Sequence, residues 1–177
     1  MRRSTLGWAF ALVLTAGFQA APAANKDQEF KATVVEVIDG DTLKVSHDGQ
    51  TDIVRLLNID APEPGQPYAD RAKQQAEKLC LGEEVRVLWR ERDGQQRILG
   101  TVHEDEGLNL SFEMVRAGLA WNYKHFEHDR TLAELETEAR KAHRGLWSDK
   151  HPTPPWEYRQ AQEKLNSRLP GDPRKIR

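Results

Sequence analysis

The chain has 177 residues, 38% of them hydrophobic and 31% charged, with a formal net charge of −2. That length supports one domain with a core of its own. The near-neutral balance excludes a global positive field that would pull the protein onto nucleic acid, so any such contact must come from a local basic groove. A tight structural DNA binder is disfavoured on this ground; an enzyme that must release its product is not.

The N-terminus has the pattern of an export signal. Arg2 and Arg3 precede an apolar run from Leu6 to Phe18, followed by the small residues Ala20-Ala21-Pro22-Ala23-Ala24. The run is too short for a comfortable membrane span, and the expected reading is a signal peptide over residues 1–23, cleaved after Ala23. Its removal takes away two arginines and no acid, leaving 24 basic against 28 acidic side chains. A secreted or periplasmic protein is expected. Cys80 is the single cysteine, so no intrachain disulfide can form, and its place beside Leu79 and Leu81 predicts a buried small hydrophobe.

Residues 24–29 are polar and expected to be flexible. From Phe30 to Ile38 the β-branched residues predict a first strand, Asp39-Gly40 a turn, and Thr42 to Ser46 a second strand. Thr51 to Asn58 completes a hairpin. A two-residue loop there would pair Lys44 with Ile53 and Val45 with Asp52. A three-residue loop with Gly49 left-handed instead pairs Leu43 with Ile53 and Lys44 with Asp52, matches like with like, and sets Arg55 opposite Asp41. The three-residue loop is the expectation. Pro62, Pro64, Gly65 and Pro67 force a loop. Tyr68 to Leu81 follows as a helix with Ala72, Ala76 and Leu79 as its stripe, closed by Gly82.

Val85 to Arg90 alternates as a fourth strand, Asp93-Gly94 makes a turn, and Arg97 to Val102 is a fifth. Leu110 to Ala117 predicts a short helix, Leu119 to Tyr123 an extended piece, and Thr131 to His143 a third helix with Leu132, Leu135 and Ala139 inward. Leu146 and Trp147 are expected to plug the core. From His151, three prolines and Trp156 predict an extended strap pinned by the tryptophan, then a weak helix over 157–169 and a basic tail. The domain proper spans 30–150, with the strap and tail over 151–177. Five strands, one helix after the third and more after the fifth predict an α+β protein: a five-stranded OB-fold β-barrel with three α-helices.

Several side chains fall where chemistry is possible. Asp41 and Asp60 lie at strand ends near one end of the hairpin, and short carboxylates suit a hard cation such as calcium or magnesium; each alone reads equally well as a turn residue. Arg55, between Val54 and Leu56, requires a carboxylate or phosphate partner; an ion pair with Asp41 is the simplest alternative. Arg97 could supply a second planar clamp on a phosphate, and Glu63, fixed between Pro62 and Pro64, could hold a water.

The ordered set Val37-Ile38-Asp39-Gly40-Asp41-Thr42, Arg55-Leu56-Leu57-Asn58-Ile59-Asp60-Ala61-Pro62-Glu63, Asp93 to Gly100, Val115 to Ala120 and Gly145-Leu146-Trp147-Ser148 resembles the staphylococcal nuclease (thermonuclease) family over about Phe30 to Trp147. The resemblance implies Asp41 and Asp60 as calcium-binding carboxylates, with the Ala61 carbonyl as a further ligand. It implies Glu63 as general base, and Arg55 and Arg97 as phosphate-binding catalytic residues. It also implies calcium-dependent cleavage of DNA and RNA that leaves 3′-phosphate ends. Single strands are the expected preferred substrate and a monomer the expected state. The loop Gly94-Gln95-Gln96 lacks the tyrosine or lysine common in relatives. Tyr123 matches an aromatic position of the nucleotide pocket, while the next such position is His125. The rival expectation is a non-catalytic OB-type module that binds nucleic acid or a protein.

Overall fold

The computed structural model describes residues 28–104, 107–123 and 129–168. The expected signal peptide, His125 and the basic tail lie outside these residues. Five strands close a barrel in the order β1 (Gln28–Val37), β2 (Thr42–His47), β3 (Gln50–Leu56), β6 (Ile98–Glu104), β5 (Glu84–Arg92), with β1 pairing back onto β5. Gln28 and Glu29, expected to be loose, pair with Trp89 and Leu88 and belong to the first strand. The barrel interior is filled by alternate residues of each strand, among them Val34, Leu43, Val45, Val54, Val85, Val87 and Ile98, all fully buried. That alternation is the physical reason these segments sit as strands: each presents a period-two apolar face to a common centre.

The hairpin register differs from expectation. Leu43 pairs with Val54, Lys44 with Ile53, Val45 with Asp52 and Thr42 with Arg55. The loop is the two residues Asp48 and Gly49, both at positive φ (47° and 77°). A turn of that hand matches the twist of the flanking strands, and this outweighs the mixed pairs it creates. The pairing of Val45 with Asp52 carries little penalty because Asp52 brings its own partners, Arg92 at 2.8 Å and His47 at 2.9 Å.

Helix α1 (Ala69–Cys80) lies between β4 (Ile59–Asp60) and β5, and buries Ala72, Ala76 and Cys80; the Cys80 thiol donates to the Ala76 carbonyl. Its small residues let it approach closely: a Cβ built on Gly40 would stand 2.7 Å from that of Ala72 and 2.8 Å from that of Ala61. Helix α2 (Leu110–Arg116) is capped by Asn109, whose side chain accepts from the Phe112 N–H. Helix α3 (Arg130–Lys141) is capped by Asp129, which accepts from Thr131 and Leu132, and it buries Leu132, Leu135 and Ala139 as the periodicity predicts. A 3₁₀ turn over Gly145–Ser148 carries the buried Leu146 and Trp147.

Two features exceed the sequence expectation. Strand β4 and strand β7 (Trp121–Asn122) form a separate two-stranded sheet, in which Asp60 pairs with Trp121. The helix expected to be weak over 157–169 is a full fourth helix, α4 (Pro155–Arg168), so among the described residues the barrel carries four α-helices rather than three. Trp156 does pin it, with ring centroids 5.6 Å from Trp121 and 5.5 Å from Tyr123. None of the described helices is long and apolar enough to cross a membrane.

Candidate active site

Arg55 points away from the barrel interior. Its neighbours Val54 and Leu56 face inward, so the strand alternation puts the guanidinium on the outer face, beside Leu99 of the parallel partner β6. There it bridges two carboxylates: Nη1 lies 2.9 Å from Asp41 Oδ2 and Nη2 lies 2.8 Å from Asp60 Oδ1. Nη1 also donates to the carbonyls of Ile59 (3.2 Å) and Leu56 (3.3 Å). The ion pair with Asp41 is therefore present although the two residues are not cross-strand partners. Asp41 is brought close by the turn before β2 and is tied in place because its carbonyl accepts from the Leu56 N–H at 2.8 Å.

Asp41 is buried, and its carboxylate accepts from Arg55, from the Ala61 N–H at 2.5 Å and from the Thr42 hydroxyl at 3.1 Å. Burial pushes its carboxyl up to about 8, against the pull of Arg55, with Asp39 adding to the rise. Ala61 thus sits between the two acids, its N–H on one of them. Glu63 is held at the mouth of the loop, its N–H donating to Gln66 Oε1 at 2.8 Å while Gln66 Nε2 donates to the Thr153 carbonyl at 3.1 Å. The strap therefore braces the loop that carries Glu63.

Arg97 stands on the other wall. Its Nε donates to Asp93 Oδ2 at 2.7 Å and its backbone N–H to Asp93 Oδ1 at 2.9 Å. Partial burial pulls the Asp93 carboxyl up, but Arg97 and the backbone N–H groups of Arg97 and Gln95 outweigh it and hold the carboxyl below its ordinary range. Because Arg55 pairs with Leu99, and Arg97 is two residues before Leu99, the two guanidinium groups share one face across the parallel β3–β6 seam. A groove of about 700 Å³ runs between them, lined by Asp41, Arg55, Glu63, Arg97 and Tyr123.

The profile of the family described as Staphylococcal nuclease homologue matches residues 53–149. The chain is 44% identical over 126 residues to an Escherichia coli protein named an uncharacterized endonuclease, covering 71% of this chain and 82% of that one. It is 38% identical over 145 residues to a Shigella flexneri protein named micrococcal nuclease, covering 76% and 83%. It is also 38% identical over 141 residues to an Escherichia coli protein named ParB, covering 74% and 80%. The chain belongs to the staphylococcal nuclease family.

For a member of that family the groove holds one residue that sequence reasoning missed. Arg159, on the first turn of α4, closes the groove beside the acids. Its Nη2 lies 2.9 Å from Asp60 Oδ2, and its Nη1 lies 3.1 Å from Asp60 Oδ1 and 2.5 Å from Glu63 Oε1. Its hydrogen bonds to Asp60, and then to Glu63, hold this guanidinium firmly in its charged form. The sequence signal for it is only an imbalance of charge, which calls for a further cation without saying which residue supplies it. Three carboxylates, Asp41, Asp60 and Glu63, gather around a single nearby arginine, and buried acids in excess of cations call for another positive group.

The donor chemistry fits a hard cation in kind. Asp41, Asp60 and the adjoining backbone offer oxygen only, the ligand type that calcium and magnesium take, with waters completing the shell. Among the described residues no three His, Cys, Asp or Glu side chains are drawn together as a metal cluster; the carboxylates are gathered onto arginines instead. Tyr123 lines the groove, its N–H donating to the Asn58 carbonyl at 2.8 Å and its ring tilted against Trp156. His125 lies outside the described residues.

Proposed function

We propose that this member of the family is a secreted or periplasmic calcium-dependent nuclease that hydrolyses phosphodiester bonds of DNA and RNA and leaves 3′-phosphate ends. The observation that carries the reading is the face-sharing pair Arg55 and Arg97, set across a groove whose mouth also holds Asp41 and Glu63. Two planar, permanently charged forks on opposite walls suit the oxygens of a phosphodiester. Each is pre-oriented: Arg55 by Asp41 and Asp60, Arg97 by Asp93. Neither has to be ordered at the moment of reaction, and electrostatic stabilisation of a charged transition state depends on that preorganisation.

Asp41, Asp60 and the Ala61 carbonyl are the residues to hold calcium, which when bound would polarise a phosphate oxygen and offset the charge developing there. Glu63 is the proton acceptor. It sits at the groove with its backbone fixed by Gln66, and a carboxylate so placed can hold a water and take its proton as the water attacks phosphorus. Tyr123 offers a ring on which a base can stack, a contact tolerant of sequence and suited to single strands. Export is supported by the charged start, apolar run and alanine-rich region of residues 1–24.

The test is incubation of the purified mature protein with single-stranded DNA and with RNA, in calcium and then in chelator, with end-group analysis of the products. Calcium-dependent cleavage to 3′-phosphates is expected. Glu63→Gln and Arg97→Ala should each lower kcat by about 10²-fold or more while the far-UV spectrum is unchanged. Tight binding without cleavage would instead establish a non-catalytic OB-type module.

A further inference from the structure

The contacts of α4 differ from those of a helix that merely packs. Its apolar seat is confined to one turn: Pro155 is buried, Trp156 leans on Trp121 and Tyr123, and the Tyr158 hydroxyl lies against Gly65. From Gln160 to Ser167 every residue is exposed. The ion pairs of that seated turn run from Arg159 to Asp60 and Glu63. They cover Asp60, whose side chain is only 1% exposed. Its Oδ1 accepts from Arg55 and Arg159, and its Oδ2 accepts from Arg159.

We propose that Arg159 is a built-in rival cation: in the metal-free protein its guanidinium occupies Asp60 and Glu63, and the first turn of α4 must release them before a divalent cation can bind. This rests on the reading that Asp60 belongs to a cation site. A guanidinium and a divalent ion cannot share one carboxylate at hydrogen-bond distance without strong mutual repulsion. Arg55 raises a smaller conflict, because it takes Asp60 through Oδ1 alone and leaves Oδ2 free, whereas Arg159 covers both oxygens. Release is feasible. The Arg159 side chain is 41% exposed, so its pairs are weakened by solvent, and the helix beyond it has no buried face to hold it down. The consequence is a conformational tax on metal affinity. If the open form is about one tenth of the metal-free population, the apparent dissociation constant is raised about tenfold. The same contact holds Glu63 through its Oε1 while Arg159 stays docked.

The experiment is calorimetric titration of calcium chloride into the chelator-treated full-length mature protein and its Arg159→Gln variant, each checked for folding by circular dichroism. Arg159→Gln should bind calcium about tenfold tighter. Arg159→Lys, which keeps the charge but not the fork, should fall between the two. In parallel, the Nε–H resonance of Arg159, assigned by its loss in Arg159→Gln, should move as calcium is added to the native sequence, so a variant that fails to fold leaves the test intact. Equal or weaker calcium binding by Arg159→Gln overturns the proposal and makes Arg159 a support or substrate clamp. An Arg159 resonance unmoved at saturating calcium overturns it as well, and so does the absence of calcium binding by either protein. A native protein that binds calcium, moves Arg159 and cleaves nothing upholds the rival cation and removes the nuclease reading.

Discussion

Replacing Arg55 with glutamine removes the charge that two buried carboxylates share. Arg55 is 14% exposed, Asp41 6% and Asp60 1%, so all three side chains lie largely out of water. Removing one partner of a buried ion pair costs about 3–5 kcal/mol, because the charge left behind has lost its compensation. The low end applies here. Asp60 keeps Arg159, and Asp41 keeps the Ala61 N–H and the Thr42 hydroxyl, so about 3 kcal/mol is expected. With a urea slope of about 2 kcal/mol per molar, the unfolding midpoint should fall by about 1.5 M. The assay is urea unfolding at pH 9, above the value of about 8 to which burial pushes Asp41 and where its carboxylate is charged, followed by tryptophan fluorescence in chelator, so that no added cation takes over the lost charge. Asp41→Asn combined with Arg55→Gln should recover at least about 1 kcal/mol over Arg55→Gln alone, since the orphaned charge is then gone. A midpoint shift under about 0.5 M, or a double variant no more stable than Arg55→Gln, would refute the view that Arg55 is the charge holding these acids together.

Other outcomes follow from the same contacts. Arg92 first, and then His47, hold the Asp52 carboxyl below its ordinary value of 3.8 against partial burial, so the stability it contributes is present above that value and is lost as pH falls through the folded-state value. Asp52→Asn should therefore cost about 1 kcal/mol at pH 7, with the gap to the native protein closing below pH 4 in thermal melts; a gap that persists at pH 2 rules this out. Burial pushes the Cys80 thiol up to about 12, so a thiol reagent at pH 8 should label it only after urea unfolding, and prompt labelling of the folded protein contradicts the placement. Gly40→Ala would drive a methyl against Ala72 and Ala61, whose Cβ atoms are fixed to backbone. A stability loss of about 1–3 kcal/mol and reduced cleavage are expected, checked by melting and by activity at a permissive temperature.

The barrel was legible because its signals are local and repeated. Val85, Val87 and Trp89 alternate, Gly82 and Gly118 stand after helices at positive φ, and Leu132, Leu135 and Ala139 keep a helical period that the fold buries. The hairpin register was not legible from pair matching. The cost of setting Asp52 beside Val45 depends on Arg92, which arrives from a different strand, and the turn's handedness decided the outcome. Strands β4 and β7 are two residues each and have no period to read. Asp41, Arg55, Asp60 and Glu63 were visible as a cluster because the hairpin and the proline loop are contiguous in sequence. Arg159 was not. It is one of 26 basic residues and sits on a polar helix without an apolar stripe, so only the folded arrangement shows that its first turn reaches the acids.

The position of the groove follows from the topology of the barrel. Every other pairing in the closed sheet is antiparallel; β3 and β6 alone run parallel, joined by Val54 with Ile98, Arg55 with Leu99 and Leu56 with Gly100. A parallel neighbour cannot be reached by a tight turn, so the chain must leave β3, traverse β4, α1 and β5, and return. That excursion supplies Asp60, Glu63 and the β5–β6 turn with Asp93, and its return brings Arg97 onto the face that Arg55 already occupies. The other side of β6 fits tightly as well: a Cβ on Gly100 would lie 2.7 Å from the Leu88 carbonyl oxygen, so β6 sits closer to β5 there than any side chain permits. Both guanidinium groups consequently share one groove only when the parallel, non-local β3–β6 pairing has formed. A chain with its hairpins intact but the seam open would keep the carboxylates with Arg55 and lack the second clamp.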